Sequence, residues 1–295
     1  MSASGVRGSE AVESYAGKSA LVLGASGFIG RWIARELSRA GARVTLAVRD
    51  PETAGPIFTR WGAAGEIVRA DLTDLEAVRQ LFRRTRPTIT FNLAGYGVDR
   101  TERDDALAWQ INDALVATVC EGVAETVDRT WRGLHIVHTG SALEYGAIGG
   151  NLNEDAVPNP TTTYGQSKLA GTRTLARGCA AEGLRGVTAR LFTVYGPGEH
   201  AGRLVPSLIE GAVSGAPFPL SEGLQRRDFT YVEDVVDGLL RLGVRGIPME
   251  VLNLATGKLA TVRDFIEVAA RILRIPSANL RFGALPTRPE EMEHA

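Results

Sequence analysis

Residues 22–34 read VLGASGFIGRWIA, and this stretch decides the fold. Gly24, Gly27 and Gly30 fall at G-x-x-G-x-x-G spacing, directly behind the short apolar run SALVL at residues 19–23. Beyond them Ile29, Ile33 and Leu37 recur on one face of a helix, while Arg31, Arg35 and Arg39 take the other. Strand, glycine turn and helix form the setting in which such a loop binds pyrophosphate. The backbone can approach the phosphate oxygens closely, and the first helix amides and the helix dipole face them. Gly24, Ser26, Gly27, Phe28, Ile29 and Gly30 are therefore the candidate phosphate-binding residues.

The same alternation continues outward. ARVTLAV (42–48), EIVRAD (66–71), TITFNLAG (88–95), LHIVHTG (134–140) and GVTARLF (186–192) read as strands. DLEAVRQLFRR (74–84) and the stretches 104–127 and 163–183 read as helices. Apolar strands alternating with helices predict an α/β fold with a doubly wound parallel sheet covered on both faces. After about residue 195, Gly and Pro become frequent and strands short, which predicts a smaller C-terminal lobe. VEDVVDGLLRLG (232–243) and TVRDFIEVAARIL (261–273) read as its helices, and VLNLA (251–255) could return to the main sheet. The expected organisation is a flexible leader over 1–17, a dinucleotide-binding domain over 18–195 and a mainly substrate-binding lobe over 196–295.

Composition bounds the partners. Lys and Arg total 33 against 34 Asp and Glu, with no basic block, so nucleic acid is not an expected partner. No stretch is apolar enough for a membrane span or a secretory leader, so the expected location is cytoplasmic. The two cysteines, Cys120 and Cys179, have no metal-ligand spacing, and no metal is expected.

The end of the second strand bears on the cofactor. A ribose-binding acidic residue is expected there for NAD, but the position holds Val48, followed by Arg49. An Arg fork pairs with a 2′-phosphate, which favours NADP; Asp50 turned inward would restore NAD. Asp71, with Leu72 beside it, is a candidate for the adenine edge or a cap for the helix near Thr73 and Asp74.

TYGQSKLAG (163–171) contains one of only three lysines, Lys18, Lys168 and Lys258, in a chain with thirty arginines. On a helix, Tyr164 and Lys168 share a face. The ammonium is expected to lower the phenol's pKa and to hold a nicotinamide ribose. Ser141, just past the fifth strand, could bind a substrate oxygen opposite Tyr164. The three together can move a proton on or off an oxygen while a nicotinamide carries the hydride. His135 and His138 read as strand packing, and Tyr96 stands at the mouth of the site.

At this point GASGFIG, FNLAG, GSALEYG, YGQSK, RLFTVYGPGE and RRDFTYVEDVV together resemble the extended short-chain dehydrogenase/reductase family, in its nucleotide-sugar epimerase, dehydratase and ketoreductase branch. The resemblance runs from about residue 18 to 290. It implies a Rossmann domain with a small C-terminal lobe, and a homodimer packed through the helices at 104–127 and 163–183. It implies that Ser141, Tyr164 and Lys168 are catalytic, and that Leu93, Ala94 and Gly95 pass behind the cofactor. Arg227 matches an Arg that contacts the diphosphate of a nucleotide sugar, and Arg203 lies where the nucleotide is bordered. Sugar dehydratases carry Asp-Glu where this chain has Ala142 and Leu143, so dehydration is disfavoured. Glu144 could hold a sugar hydroxyl or make a structural hydrogen bond, and Thr193 replaces an Asn common in epimerases. The implied activity is an NADP-linked reductase of a nucleotide sugar. Alternatives are an NAD-dependent C4 epimerase, a ketone reductase on another substrate, and a non-catalytic NADP-sensing regulator. Relatives usually continue past RPEEMEHA (288–295) through another helix.

Overall fold

The computed structural model of the chain describes residues 14–286 apart from 99–100, 147, 149, 151 and 247–249. β1 (Ser19–Leu23) is buried on both sides, which is why its residues are apolar without alternation. Gly24, with a φ of +73°, turns the chain into α1 (Phe28–Arg39). Next come β2 (Arg43–Val48), α2 (Pro51–Trp61), β3 (Glu66–Arg69), α3 (Leu75–Thr85) and β4 (Ile89–Asn92). α4 (Asp105–Trp109) runs through a π-helical turn (Gln110–Ala114) into α5 (Leu115–Thr126). β5 (Ile136–Ser141), α6 (Thr163–Glu182) and β6 (Gly186–Leu191) follow. The last part holds β7 (Thr193–Tyr195), α7 (Leu204–Ser214), β8 (Phe218–Pro219), β9 (Arg226–Arg227), β10 (Phe229–Tyr231), α8 (Val232–Arg245), β11 (Val251–Leu254), β12 (Ala260–Thr261), α9 (Val262–Leu273) and β13 (Leu280–Arg281).

Among the described residues, seven strands form one parallel sheet in the order β11-β6-β5-β4-β1-β2-β3. This is the doubly wound Rossmann arrangement. The order reverses between β1 and β4, and ligands bind such sheets in the crevice at the carboxyl ends of those strands. One face of the sheet packs on α1 and α8 through Ile33, Leu37, Phe91, Val137, Val235 and Leu239. The other packs on α3, α5 and α6 through Leu21, Phe82, Val119, Ile136 and Leu175. A separate small cluster around Leu208, Leu220 and Ile266 holds α7 and α9 together. The returning segment is β11, which pairs with β6.

Three expectations need correction. α8 is a helix of the main sheet rather than of the lobe, because its apolar face is buried in the large core. The leader does not extend to residue 17: Tyr15 is fully buried, and its hydroxyl donates to the Leu240 carbonyl at 2.7 Å. The rest of that leader, residues 1–13, and the chain end at 288–295 lie outside the described residues. Finally, the sequence reading passed from the second strand to the third without a helix, yet α2 forms between them.

Candidate active site

One cleft of about 1370 Å³ opens over the carboxyl ends of the sheet strands. That exceeds the roughly 300–1,000 Å³ of a pocket for one ligand. Its wall gathers Gly24, Ser26, Gly27, Phe28, Ile29, Gly30, Arg49, Asp71, Leu72, Leu93, Ala94, Gly95, Tyr96, Ser141, Tyr164, Lys168, Thr193, Arg203 and Arg227. Every residue expected at the site lines it except Glu144.

The turn at one end fits a dinucleotide. α1 begins at Gly27 with no side-chain cap, which leaves its first amides to a ligand. A Cβ on Gly24 would stand 2.9 Å from the Ala94 nitrogen, and one on Gly30 would collide with the Gly24 carbonyl. Only glycines let the turn, α1 and the end of β4 close this tightly. At the end of β2, Val48 is buried and Arg49 exposed at the cleft. Asp50 turns away from a ribose: it caps α2, accepting from the Glu52 amide at 3.1 Å and from the Thr53 hydroxyl. Asp71 does not cap α3. It accepts from the Thr73 amide at 3.0 Å and hydroxyl at 2.8 Å, and the cap is Asp74.

α6 starts at Thr162, whose hydroxyl accepts from the Gly165 amide at 3.1 Å and so fixes Tyr164 in the first turn. Cβ atoms on Gly165 and Gly171 would collide with the carbonyls of Leu143 and Asn112, so the glycines in TYGQSKLAG let α6 lie against the Ser141 turn and the π-helical turn. Lys168 is buried, and its Nζ lies 3.9 Å from where a Cβ on Gly95 would stand. Burial brings its pKa down to about 8, against the opposing pull of Glu144. The Tyr164 ring packs on Gly97, whose φ of +101° and 3.1 Å Cβ clearance exclude larger residues. Contrary to expectation, the phenol is not lowered. Burial pushes it up to about 12, although Ser141 beside it pulls the other way and Lys168 is not among the groups that move it.

Glu144 does not line the cleft and takes the structural of its two expected roles. It is fully buried behind Ser141, where Oε1 accepts from the Ser141 amide at 2.8 Å and Oε2 from Arg190 Nε at 2.8 Å and Thr172 Oγ1 at 2.9 Å. Arg203 stands at the start of α7 and pairs with Glu199 at 3.3 Å. His135 packs and accepts from the Arg185 amide at 3.0 Å, and His138 is buried on β5.

Two further residues belong to this region. Asn112 is buried in the π-helical turn, where Nδ2 donates to the Tyr96 carbonyl at 2.8 Å and Ser167 Oγ at 2.9 Å while Oδ1 accepts from the Tyr96 amide at 3.1 Å. The polar run Gln110, Asn112 and Asp113 inside an apolar helix was its signal in the sequence. Glu199 lines the cleft beside Arg203; burial raises its pKa, and its Oε2 has no hydrogen-bond partner among the described residues. Among the described residues no helix is long and apolar enough to cross a membrane, and no group of His, Cys, Asp and Glu could hold a metal.

The model of the NAD dependent epimerase/dehydratase family matches residues 20–255. The chain is 29% identical over 269 residues to dTDP-6-deoxy-L-talose 4-dehydrogenase (NAD(P)(+)) of Kitasatospora kifunensis, covering 87% of this chain and 79% of that one. It is 26% identical over 274 residues to GDP-6-deoxy-D-mannose reductase of Pseudomonas aeruginosa, covering 86% and 80%. Among solved structures it is similar to MoeE5 in complex with UDP-glucose and NAD, with a TM-score of 0.76, 27% identity and coverage of 94% and 88%. With this sheet, this glycine turn and this match, the chain belongs to the NAD-dependent epimerase/dehydratase family and is an NAD(P)-dependent enzyme of the extended short-chain dehydrogenase/reductase type.

Proposed function

We propose that the protein is an NADP-linked oxidoreductase of a nucleotide-activated sugar, most simply a 4-ketoreductase. The observation that carries this reading is the cleft wall beside Ser141. Ala142 and Leu143 stand there, and neither can exchange protons, so the acid and base that sugar dehydratases carry at these two positions are absent here. A reductase needs only one proton, and Tyr164 supplies it. Ser141 holds the carbonyl oxygen, Tyr164 gives that oxygen its phenolic proton, and Lys168 steadies the resulting phenolate and holds the nicotinamide ribose. Bound NADPH supplies the hydride. Arg227 binds the diphosphate of the substrate, and Arg203 borders its nucleotide. Gly24 to Gly30 hold the cofactor pyrophosphate, with Leu93 to Gly95 behind it. NADP is favoured because Arg49 lies exposed at the cleft, where its guanidinium can meet a 2′-phosphate, while Asp50 is committed to α2.

A second reading, an NAD-dependent C4 epimerase, is favoured by the similarity to a structure holding UDP-glucose and NAD. The assay that separates them follows reduced-nicotinamide absorbance with 4-keto sugar nucleotides. Steady NADPH consumption is expected. Interconversion of C4 epimers with no net absorbance change would overturn the reductase and support the epimerase. Native mass spectrometry adds which cofactor the purified protein carries. A homodimer would pair through α5 and α6, and sedimentation analysis tests that.

A further inference from the structure

The Glu144–Arg190 ion pair is buried, with side chains 0% and 3% exposed, and substrate touches neither partner in the reading above. Burying two charges is costly, and a buried pair is weak evidence of stability alone. Its surroundings give it another task. Gly140 leaves room for the carboxylate: a Cβ there would collide with Glu144 Oε1. Oε1 takes the Ser141 amide, closing a capping box around the turn that presents the Ser141 hydroxyl. Oε2 takes the Thr172 hydroxyl, and Thr172 is one turn beyond Lys168 on the same face of α6. Arg190 completes the set, its guanidinium lying 4.4 Å over the Tyr145 ring. Three donors, one of them cationic, converge on the two oxygens of Glu144.

We propose that Glu144 is a positioning residue of this site: its carboxylate fixes the Ser141 turn and supplies the negative charge that balances the buried Lys168 ammonium. The inference rests on the Ser141–Tyr164–Lys168 reading given above. The pair is oriented for it, with the carboxylate end toward α6 and the guanidinium end held away on Tyr145. Burial lowers the Lys168 pKa and Glu144 opposes it. The other groups facing this ammonium do not replace that charge. His138, on β5, is driven well below its ordinary value by burial and by Lys168 itself, so it is neutral. Tyr164, on α6, is a neutral phenol, acted on in turn by Glu144, Arg203 and Glu102. Arg190, on β6, is a cation. Without Glu144 the lysine would lose its proton at the pH where the phenolate needs a cationic neighbour.

The chain has only three lysines, which makes the test direct. Protein grown with lysine carrying carbon-13 at Cε gives three signals, and Lys168→Met identifies the one that matters. In the parent, that signal should titrate near 8. Glu144→Gln/Arg190→Gln should lower the midpoint by about 0.5–1 pH unit, and the alkaline limb of kcat/KM should move with it. Glu144→Gln alone, which keeps an amide oxygen to accept from the Ser141 amide, should lower the midpoint in the same direction, and it decides the matter if the double variant does not fold. A midpoint unchanged in the variants that fold overturns the proposal, whatever turnover is lost. If the midpoint moves as expected but no nucleotide sugar is turned over, the substrate reading fails and the charge balance stands.

Discussion

Lys168 carries a penalty that its chemistry demands. Its folded pKa of about 8 lies below the ordinary 10.5 because the ammonium is buried. Between those values the unfolded chain binds more protons, so this group's contribution to stability rises with pH there. Below about pH 8 the whole penalty stands. Lys168→Met is therefore expected to stabilise the fold by roughly 1–3 kcal/mol at neutral pH. The gain should shrink as pH approaches 10.5, and turnover should be lost. Urea unfolding at neutral and alkaline pH checks this; a destabilised variant, or a gain that ignores pH, contradicts it. Tyr164 and Lys168 were legible in the sequence because i, i+4 spacing on a helix is local information. The direction of the Tyr164 pKa was not, because burial is decided by chain segments far away. For Glu144 the sequence left a sugar contact and a structural hydrogen bond open for the same reason: besides Ser141, its partners are 28 and 46 positions away. Asn112 and Glu199 also have no local signature beyond an oddly placed polar residue.

At the scale of elements, α2 shows how a helix can hide. Gly55 and Pro56 sit in its middle, and both lower helical propensity. Its ends and its apolar face override them. Asp50 caps it, Pro51 occupies the first turn, Gly62 closes it in the left-handed region, and Ala54 and Phe58 are buried. The same cap keeps Asp50 from any ribose. Asp50→Ala should therefore lower stability, as loss of a helix cap does, and leave the preference for NADPH over NADH intact. Arg49→Ala should raise KM for NADPH about 10-fold and leave stability unchanged. Steady-state kinetics with both cofactors, beside denaturation curves, check the pair; exchanged phenotypes would mean Asp50 reads the ribose. For α8 the reverse held. Its apolar stripe was evident in the sequence, but a stripe does not name the surface it covers, and that surface is the main sheet.

Across the molecule, the parallel sheet was readable because strands buried on both faces leave near-continuous apolar runs. The lobe was not readable beyond its helices, since β8, β9, β12 and β13 are two residues each and depend on their partners. A net charge near −1 gives no global attraction for an anionic ligand, so cationic side chains within the cleft must do that work. The core reaches farther toward the amino terminus than composition implied. Tyr15→Phe should cost about 1 kcal/mol by removing the buried hydrogen bond to the Leu240 carbonyl. Tyr15→Ala should cost about 3–5 kcal/mol by opening a cavity between Phe91 and Trp131. Guanidinium unfolding measures both, and near-zero values would show the tyrosine to be peripheral. That anchor spans 225 positions of sequence, from the edge of β1 to α8. A ribosome therefore has to release Val232–Arg245 before the amino-terminal end of the sheet can be sealed. Until then the nascent chain exposes an apolar sheet face that invites chaperones, and long-range closure of this kind slows the final folding step.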